Sequence, residues 1–309
     1  MTTAQLADLA YLTHAGEWTY RFGSLAAPLL VLNDEDASGS LWACEEPDGW
    51  NGTSAETPIE DRAYGDGGYA GETTFAPLVL TWTGTTVCPD RATMRAAIRR
   101  LRAVAQTRVP ILYTQTDDPV DLSVWLRATG QPKIAPFDGL GFEWSFTMLA
   151  PDPFRFDAAQ AARELSTGLP SRTPGRIYPR RHNYVYGGGD AGAGVIIFRN
   201  AGDEWAQARY RLRGPVIEPV LVNQTTGEAA GWTLTLGADD VLILDTATEL
   251  VTLNGTPYYG DRIPGFVFPR MAPADPAVPG SGRNVVRWSG SGVPNPAARL
   301  YLSAASTWR

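Results

Sequence analysis

Two cysteines, two histidines and a single lysine, Lys133, among 309 residues leave little material for several kinds of chemistry. Cys44 and Cys88 can close one bridge at most, so a disulfide framework does not hold this chain together, and two reduced, buried thiols are expected. His14 and His182 each stand without a second histidine or a cysteine at zinc-ligand spacing, and nothing near either cysteine suggests a Cys–His nucleophile pair. No segment approaches the roughly 20 consecutive apolar residues that span a bilayer. Residues 1–12 lack a basic segment followed by an apolar run, so the reading is synthesis and folding in a cytoplasm, with no membrane partner. Cationic side chains number 26 against 33 carboxylates, and the net charge of -7 repels phosphate. That balance excludes a dedicated nucleic-acid binder.

Apolar and aromatic residues are plentiful. The chain is 44% hydrophobic, with 10 Trp, 12 Tyr and 10 Phe set among 32 Gly and 24 Pro. Aromatic side chains separated by turn formers suit many short strands better than a helical bundle. The expected class is mainly β, and the length suits two domains, 1–157 and 195–309, joined by a linker at 158–194.

Apolar alternation around Trp18, Tyr20 and Phe22, then the run 28–32, predicts the first strands. Residues 33–71 are acidic and rich in Gly, Ser and Thr, and read as a largely exposed loop with one short strand at 41–44. Strand character resumes at 75–87, where Leu78, Leu80 and Trp82 share a face. Asp90 can cap one helix reaching to about Gln106. Met94, Ile98, Leu101 and Ala105 line its apolar stripe. Arg91, Arg95, Arg99 and Arg102 form a second, basic stripe, which is either a solvated face or a surface that pairs with acidic residues of a neighbouring subunit. Strands follow at 109–113, 122–126 and 142–149, the last alternating strictly. Pro151 and Pro153 cannot donate to a ladder and stop the sheet.

Residues 158–194 read as an extended linker with a short helix near 159–165 and the flexible Gly187-Gly188-Gly189. Beyond it, short strands at 195–198, 208–212, 220–223, 232–236, 241–244, 250–253, 266–268, 284–288 and 299–302 indicate a β-sandwich. There is no internal repeat and no heptad pattern.

Four segments, in this order, resemble the distal tail (Dit) protein family of long-tailed bacteriophages. The strand 142–149 runs into Asp152-Pro153-Phe154-Arg155-Phe156, similar to a junction common in these proteins. Asn200-Ala201-Gly202-Asp203-Glu204 is followed by Arg213-Gly214-Pro215-Val216. Val222-Asn223-Gln224-Thr225-Thr226-Gly227 resembles the family's hairpin, and Leu242-Ile243-Leu244-Asp245-Thr246 with Val251-Thr252-Leu253-Asn254-Gly255 its pair of strands. Residues 33–71 and 274–282 depart from the pattern. The resemblance implies an N-terminal β-barrel or β-sandwich-like domain with one α-helix that assembles into a hexameric ring, and a C-terminal galectin-like β-sandwich. It implies a non-enzymatic structural protein of the virion, at the distal end of the tail, that needs no cofactor. Its expected partners are five more copies of itself, the tail tube protein, a tail-associated hub or hydrolase protein and the tape measure protein. Genomic DNA passes through the ring without specific binding. Arg91, Arg95, Arg99 and Arg102 are then candidate inter-subunit contacts that point away from the channel.

Other constellations offer less. Asp117-Asp118 and Asp239-Asp240 read as solvated turn carboxylates rather than a glycosidase pair. Gly187-Gly188-Gly189 lacks the lysine and helix start of a phosphate loop. Asp245 shapes a turn, with a structural calcium ion as the other reading. Trp205, Trp232, Tyr258, Tyr259 and Trp288 either fill the second core or stack on saccharide; the alternative function is a phage carbohydrate-binding adhesin or an accessory β-sandwich minor tail protein.

Overall fold

The computed structural model describes residues 18–116, 120–137, 139–170, 194–292 and 295–309. Among them the chain is mainly β and divides into two compact units, 1–158 with Arg309, and 159–308.

In the first unit eight strands run antiparallel in the spatial order Pro28–Leu32, Tyr20–Gly23, Ile111–Gln115, Leu122–Phe137, Gly141–Ala150, Leu78–Val87, Leu41–Cys44, Asp34–Glu35. The long strand Leu122–Phe137 joins the two halves of this sheet. Its first five residues pair with Ile111–Gln115, and from Arg127 onward it pairs with Gly141–Ala150 across a register shift between Thr129 and Lys133. The expected strand ends at 126, and the observed one runs on through Gly130, Pro132 and Pro136. Prolines are tolerated at edges and bulges, and this stretch is largely exposed.

Residues of alternating burial converge on an aromatic core. The Phe22, Trp82, Tyr113 and Phe146 rings lie 5.0–5.7 Å apart, in tilted, edge-on and stacked pairs. Such geometry sets the positive ring edge against a neighbour's negative face. Gly84 faces Trp144 across the ladder, and a Cβ there would fall 2.6 Å from the indole and 2.3 Å from the Ala43 carbonyl oxygen. That close approach accounts for a glycine inside a strand.

The helix Arg91–Ala105 packs on this unit through Met94, Ala97, Leu101, Val104 and Ala105, with Ile98 half-buried. Its cap is as expected. The Asp90 carboxylate accepts the backbone N–H groups of Ala92 and Thr93 at 2.7 and 2.8 Å. Those bonds hold Asp90 below the usual carboxylate range, the Thr93 backbone bond contributing most.

The stretch 33–71 is more ordered than a loop. Besides Leu41–Cys44 it contributes to a two-stranded ribbon in which Ala55–Glu56 pairs with Thr74–Phe75, and Ile59–Asp61 with Gly68–Ala70. After the two prolines, the segment Arg155–Asp157 rejoins the sheet beside Leu122 and Ser123. Arg155 donates to the Trp50 carbonyl oxygen, and its guanidinium lies 4.9 Å from the centre of the Trp50 ring. The Asp152–Phe156 motif therefore fastens a loop onto the core.

The second unit is a sandwich of two antiparallel sheets. One contains Leu165–Gly168, Arg299–Ala304, Ala208–Arg213, Val241–Asp245, Leu250–Leu253 and Thr256–Pro257; the other contains Val195–Arg199, Arg283–Ser291, Val216–Asn223, Ala229–Gly231 and Thr235–Leu236. Tyr210, Leu244 and Leu300 from the first sheet share one core with Phe198, Leu221 and Trp288 from the second. Leu165–Gly168 lies within the expected linker and is instead an edge strand paired with Arg299–Ala304. The short helix is confined to Ala158–Ala161. Residues 266–268 form no strand, although Phe266 and Phe268 pack against the core. The rest of the expected linker, 171–193, lies outside the described residues.

Three fully buried asparagines fasten one end of this sandwich. Asn200 donates to the carbonyl oxygens of Glu204 and Met271 and accepts from the backbone of Gly202 and Thr307. Asn223 donates to Arg270 O at 2.7 Å and to the Asn284 side chain at 3.0 Å. Asn284 in turn holds both backbone groups of Ala272. The turn motifs around Asn200 and Asn223 thus clamp the segment 270–272.

Candidate assembly surfaces

Arg91, Arg95, Arg99 and Arg102 are all exposed on the solvent side of the helix, and none forms an ion pair with a described residue. The structure brings them together as one stripe, as their spacing predicts. A fifth arginine, which sequence reading passed over, behaves differently. Arg100 pairs with Asp36, and the same carboxylate accepts from Trp42 Nε1 at 3.0 Å and from the backbone N–H groups of Ser38 and Ser40 at 2.8 and 3.1 Å. Burial alone would raise the Asp36 pKa. The hydrogen bonds from Ser38, Trp42 and the Ser40 and Ser38 backbone outweigh it and bring the group down to about 2. Arg100 is thereby committed within its own chain, and the other four are not. The run Asp36-x-Ser38-x-Ser40 was the available signal, since Asp followed by Ser favours such local bonding.

The two-stranded ribbon carries the opposite charge. Its base is closed by Ala76 N to Ser54 O at 2.9 Å and Thr53 Oγ1 to Ala76 O at 2.7 Å, and its tip is the turn 62–67. Glu56, Glu60, Asp61, Asp66 and Glu72 are exposed on it, against the one cation Arg62, which lies over Tyr69. Ile59 and Tyr64 are 70% and 95% exposed.

A third feature is apolar. Pro110, Trp125, Arg127, Pro151 and Asp152 line an open depression of about 450 Å³ on the first unit, and Trp125 is 53% exposed.

On the second unit, Gln207, Glu228, Phe266, Phe268 and Arg270 line a depression of about 680 Å³. Glu228 accepts from Arg270 N at 2.8 Å, and the Arg270 guanidinium lies 4.7 Å from the Trp205 ring centre. Of the five aromatics weighed for saccharide stacking, Trp232 and Trp288 are fully buried, Tyr258 packs against the core, and Trp205 is half-buried beneath Arg270. Tyr259 alone of the five is exposed.

Little here is arranged for chemistry. Cys44 and Cys88 are free and buried, and burial pushes both thiols up. Asp240 accepts from Asn254 Nδ2 and from Gly237 N, and these bonds lower its pKa in a solvated turn. Asp245 accepts the backbone N–H groups of Ala247 and Thr248 and so shapes its turn. No group of three or more metal-ligating side chains occurs among the described residues. No described helix is long and apolar enough to cross a membrane. His14, His182, Asp117-Asp118 and Gly187-Gly188-Gly189 lie outside the described residues.

No known family profile matches the sequence, and no curated protein matches it either. Solved structures do match. Chains of the phage P2 baseplate in its activated conformation are similar at TM-score 0.49 and 10% identity with Ca, over 92% of this chain and 97% of that one. With Sr the values are 0.46 and 9%, over 93% and 98%. The Dit protein of phage SPP1, described as a paradigm of the hub adsorption apparatus in phages infecting Gram-positive hosts, is similar at TM-score 0.58 and 12% identity, over 94% of this chain and 99% of that one. At that identity the likeness is one of fold, and both units of this chain together adopt the fold of a phage distal tail protein.

Proposed function

We propose that this chain is a structural hub subunit of a phage tail, located in the virion at the distal end. Six copies close into a ring through the first unit, with the second, galectin-like sandwich attached to it. The observation that carries this reading is the end-to-end correspondence with the SPP1 Dit protein, which leaves neither chain with a large unmatched part. A ring needs a heterologous contact, two different patches on one subunit that fit each other. The first unit offers charged patches of both signs and an exposed apolar depression, so it has the material for such a contact.

The ring joins the tail tube protein on one side to a tail-associated hub or hydrolase protein on the other, while the tape measure and then the genome pass through the hole. Arginines facing that hole would bind phosphate and retard the DNA. Arg91, Arg95, Arg99 and Arg102 therefore face neighbouring subunits and not the lumen. The protein acts by shape and contact, without a cofactor. Of the five aromatic candidates for an adhesin, four are buried, packed against the core or covered, which leaves Tyr259 to support that reading.

Electron microscopy of the purified protein, with gold-labelled antibody on virions, tests this function. Six-fold rings and label at the host-facing tail tip are expected. Label confined to the capsid, or open filaments in place of rings, would overturn it.

A further inference from the structure

The helix stripe and the ribbon carry opposite charge on the same unit, yet neither is neutralised by any described residue of its own chain. We propose that in the assembled ring the acidic ribbon of one copy lies along the arginine stripe of the next. The partner is a second copy of this chain, and the inference rests on the ring reading above.

Dimensions favour the match. Arg91 and Arg102 are eleven residues apart on a helix, or roughly 17 Å at 1.5 Å per residue. Side chains alternate between the ribbon's faces, so Glu56 and Glu60 share one face, four residues apart, or roughly 13 Å at about 3.3 Å per residue. That spacing covers most of the arginine stripe's length with the opposite sign.

Exposure favours it too. Tyr69 is the cross-strand partner of Glu60, shares its face and is 65% exposed, a poor arrangement for an arm that stays in water. Packing its ring against the aliphatic stems of the arginines would bury apolar area in the same contact. Arg100 supplies an internal contrast. It sits amid the stripe but is taken up by Asp36, so the stripe's four remaining charges are those left for a neighbour. Two different patches on one subunit form the head-to-tail contact that closed rings require.

The test uses the full chain with two charge reversals, Arg95→Glu with Arg99→Glu, and Glu56→Arg with Glu60→Arg, and the fourfold combination. Assembly is followed by native mass spectrometry and light scattering against protein concentration. Each reversal alone should raise the concentration at half-assembly by about tenfold or more, since several exposed pairs are lost and like charges are brought together. The fourfold variant should return to within about threefold of wild type. Raising salt from physiological strength to 1 M, which shortens the screening length from about 8 to about 3 Å, should weaken wild type in the same sense. Below the concentration at which wild type assembles, thermal melting of every variant should match wild type, because all four side chains are exposed. Rings that assemble normally in both reversed variants would overturn this inference and leave the ring standing, as would weakening that the fourfold variant does not rescue. A wild type that stays monomeric at its solubility limit would overturn the ring reading and this contact with it.

Discussion

Replacing Asn284 with alanine removes four hydrogen bonds from the end of the second unit. Its side chain accepts from Ala272 N at 2.8 Å and from Asn223 Nδ2 at 3.0 Å, and donates to the carbonyl oxygens of Ala272 and Gly282 at 3.0 and 2.9 Å. The cost depends on which partners are left without another. Asn223 keeps its bond to Arg270 O, and Gly282 O still accepts from Asn200 N. The two backbone groups of Ala272 lose these partners. Ala272 is only half-buried, so each orphaned group should cost at the lower end of the ~1–3 kcal/mol range for unsatisfied polar groups. With the net worth of the lost bonds added, the total is about 3 kcal/mol. For a unit of this size that lowers its melting temperature by about 6–12 °C. Asn284→Asp separates hydrogen bonding from volume. The carboxylate still accepts but cannot donate to the two carbonyls until it is protonated, so burial beside them raises its folded-state pKa. A raised folded pKa means that stability relative to wild type falls as pH rises and recovers as pH drops toward 5. Differential scanning calorimetry on the full chain reads both effects. A melting temperature for Asn284→Ala within about 1 °C of wild type would refute the claim that this network holds the segment 270–272.

Asp36→Asn should lower the melting temperature at neutral pH. Asp36 has a depressed folded pKa of about 2, so its contribution is complete above the ordinary carboxylate range and fades as pH falls through that value. The gap between variant and wild type should therefore close in acid, and a gap that stays constant with pH counts against the ionised pair. Cys44 and Cys88 should resist alkylation at mildly alkaline pH in the native protein and react fully in denaturant, since burial disfavours both thiolates. Rapid native labelling would show that the first core opens readily. Gly202→Ala should abolish soluble expression or lower the second unit's melting temperature by more than about 10 °C. A Cβ there would fall 1.8 Å from the Thr307 carbonyl oxygen, and backbone cannot yield as a side-chain tip does.

Where the sequence was legible, one residue type could do only one thing. Asp90 before an amphipathic run has free N–H groups to accept and no competing role, and the helix it starts is where the pattern puts it. Strict alternation at 142–149 leaves one buried face, and the strand Gly141–Ala150 follows. Legibility failed where pairing was decided elsewhere in the chain. The run 127–137 has little alternation and two prolines, yet it is a strand because Gly141–Ala150 offers it a partner. Residues 165–168 are too short and polar to announce themselves, and Arg299–Ala304 makes them a strand.

The same limit governs the surfaces. Helical spacing alone placed Arg91, Arg95, Arg99 and Arg102 on one face, but it could not single out Arg100, whose partner Asp36 is 64 residues away. Acidic, Gly-rich residues read as solvated loop because composition reports affinity for water and not shape. Folded into a ribbon, the same carboxylates are held at fixed spacings on defined faces, which can match a helix stripe where a loop cannot. Aromatic content carried the reverse ambiguity, since a tryptophan that fills a core and one that stacks on sugar look alike in sequence. Trp232 and Trp288 proved to be core, and Trp125 is left half in water beside a depression. Burial, which depends on the whole fold, therefore moves the search for contacts from the aromatics of the second unit to the charged ribbon, helix face and Trp125 patch of the first.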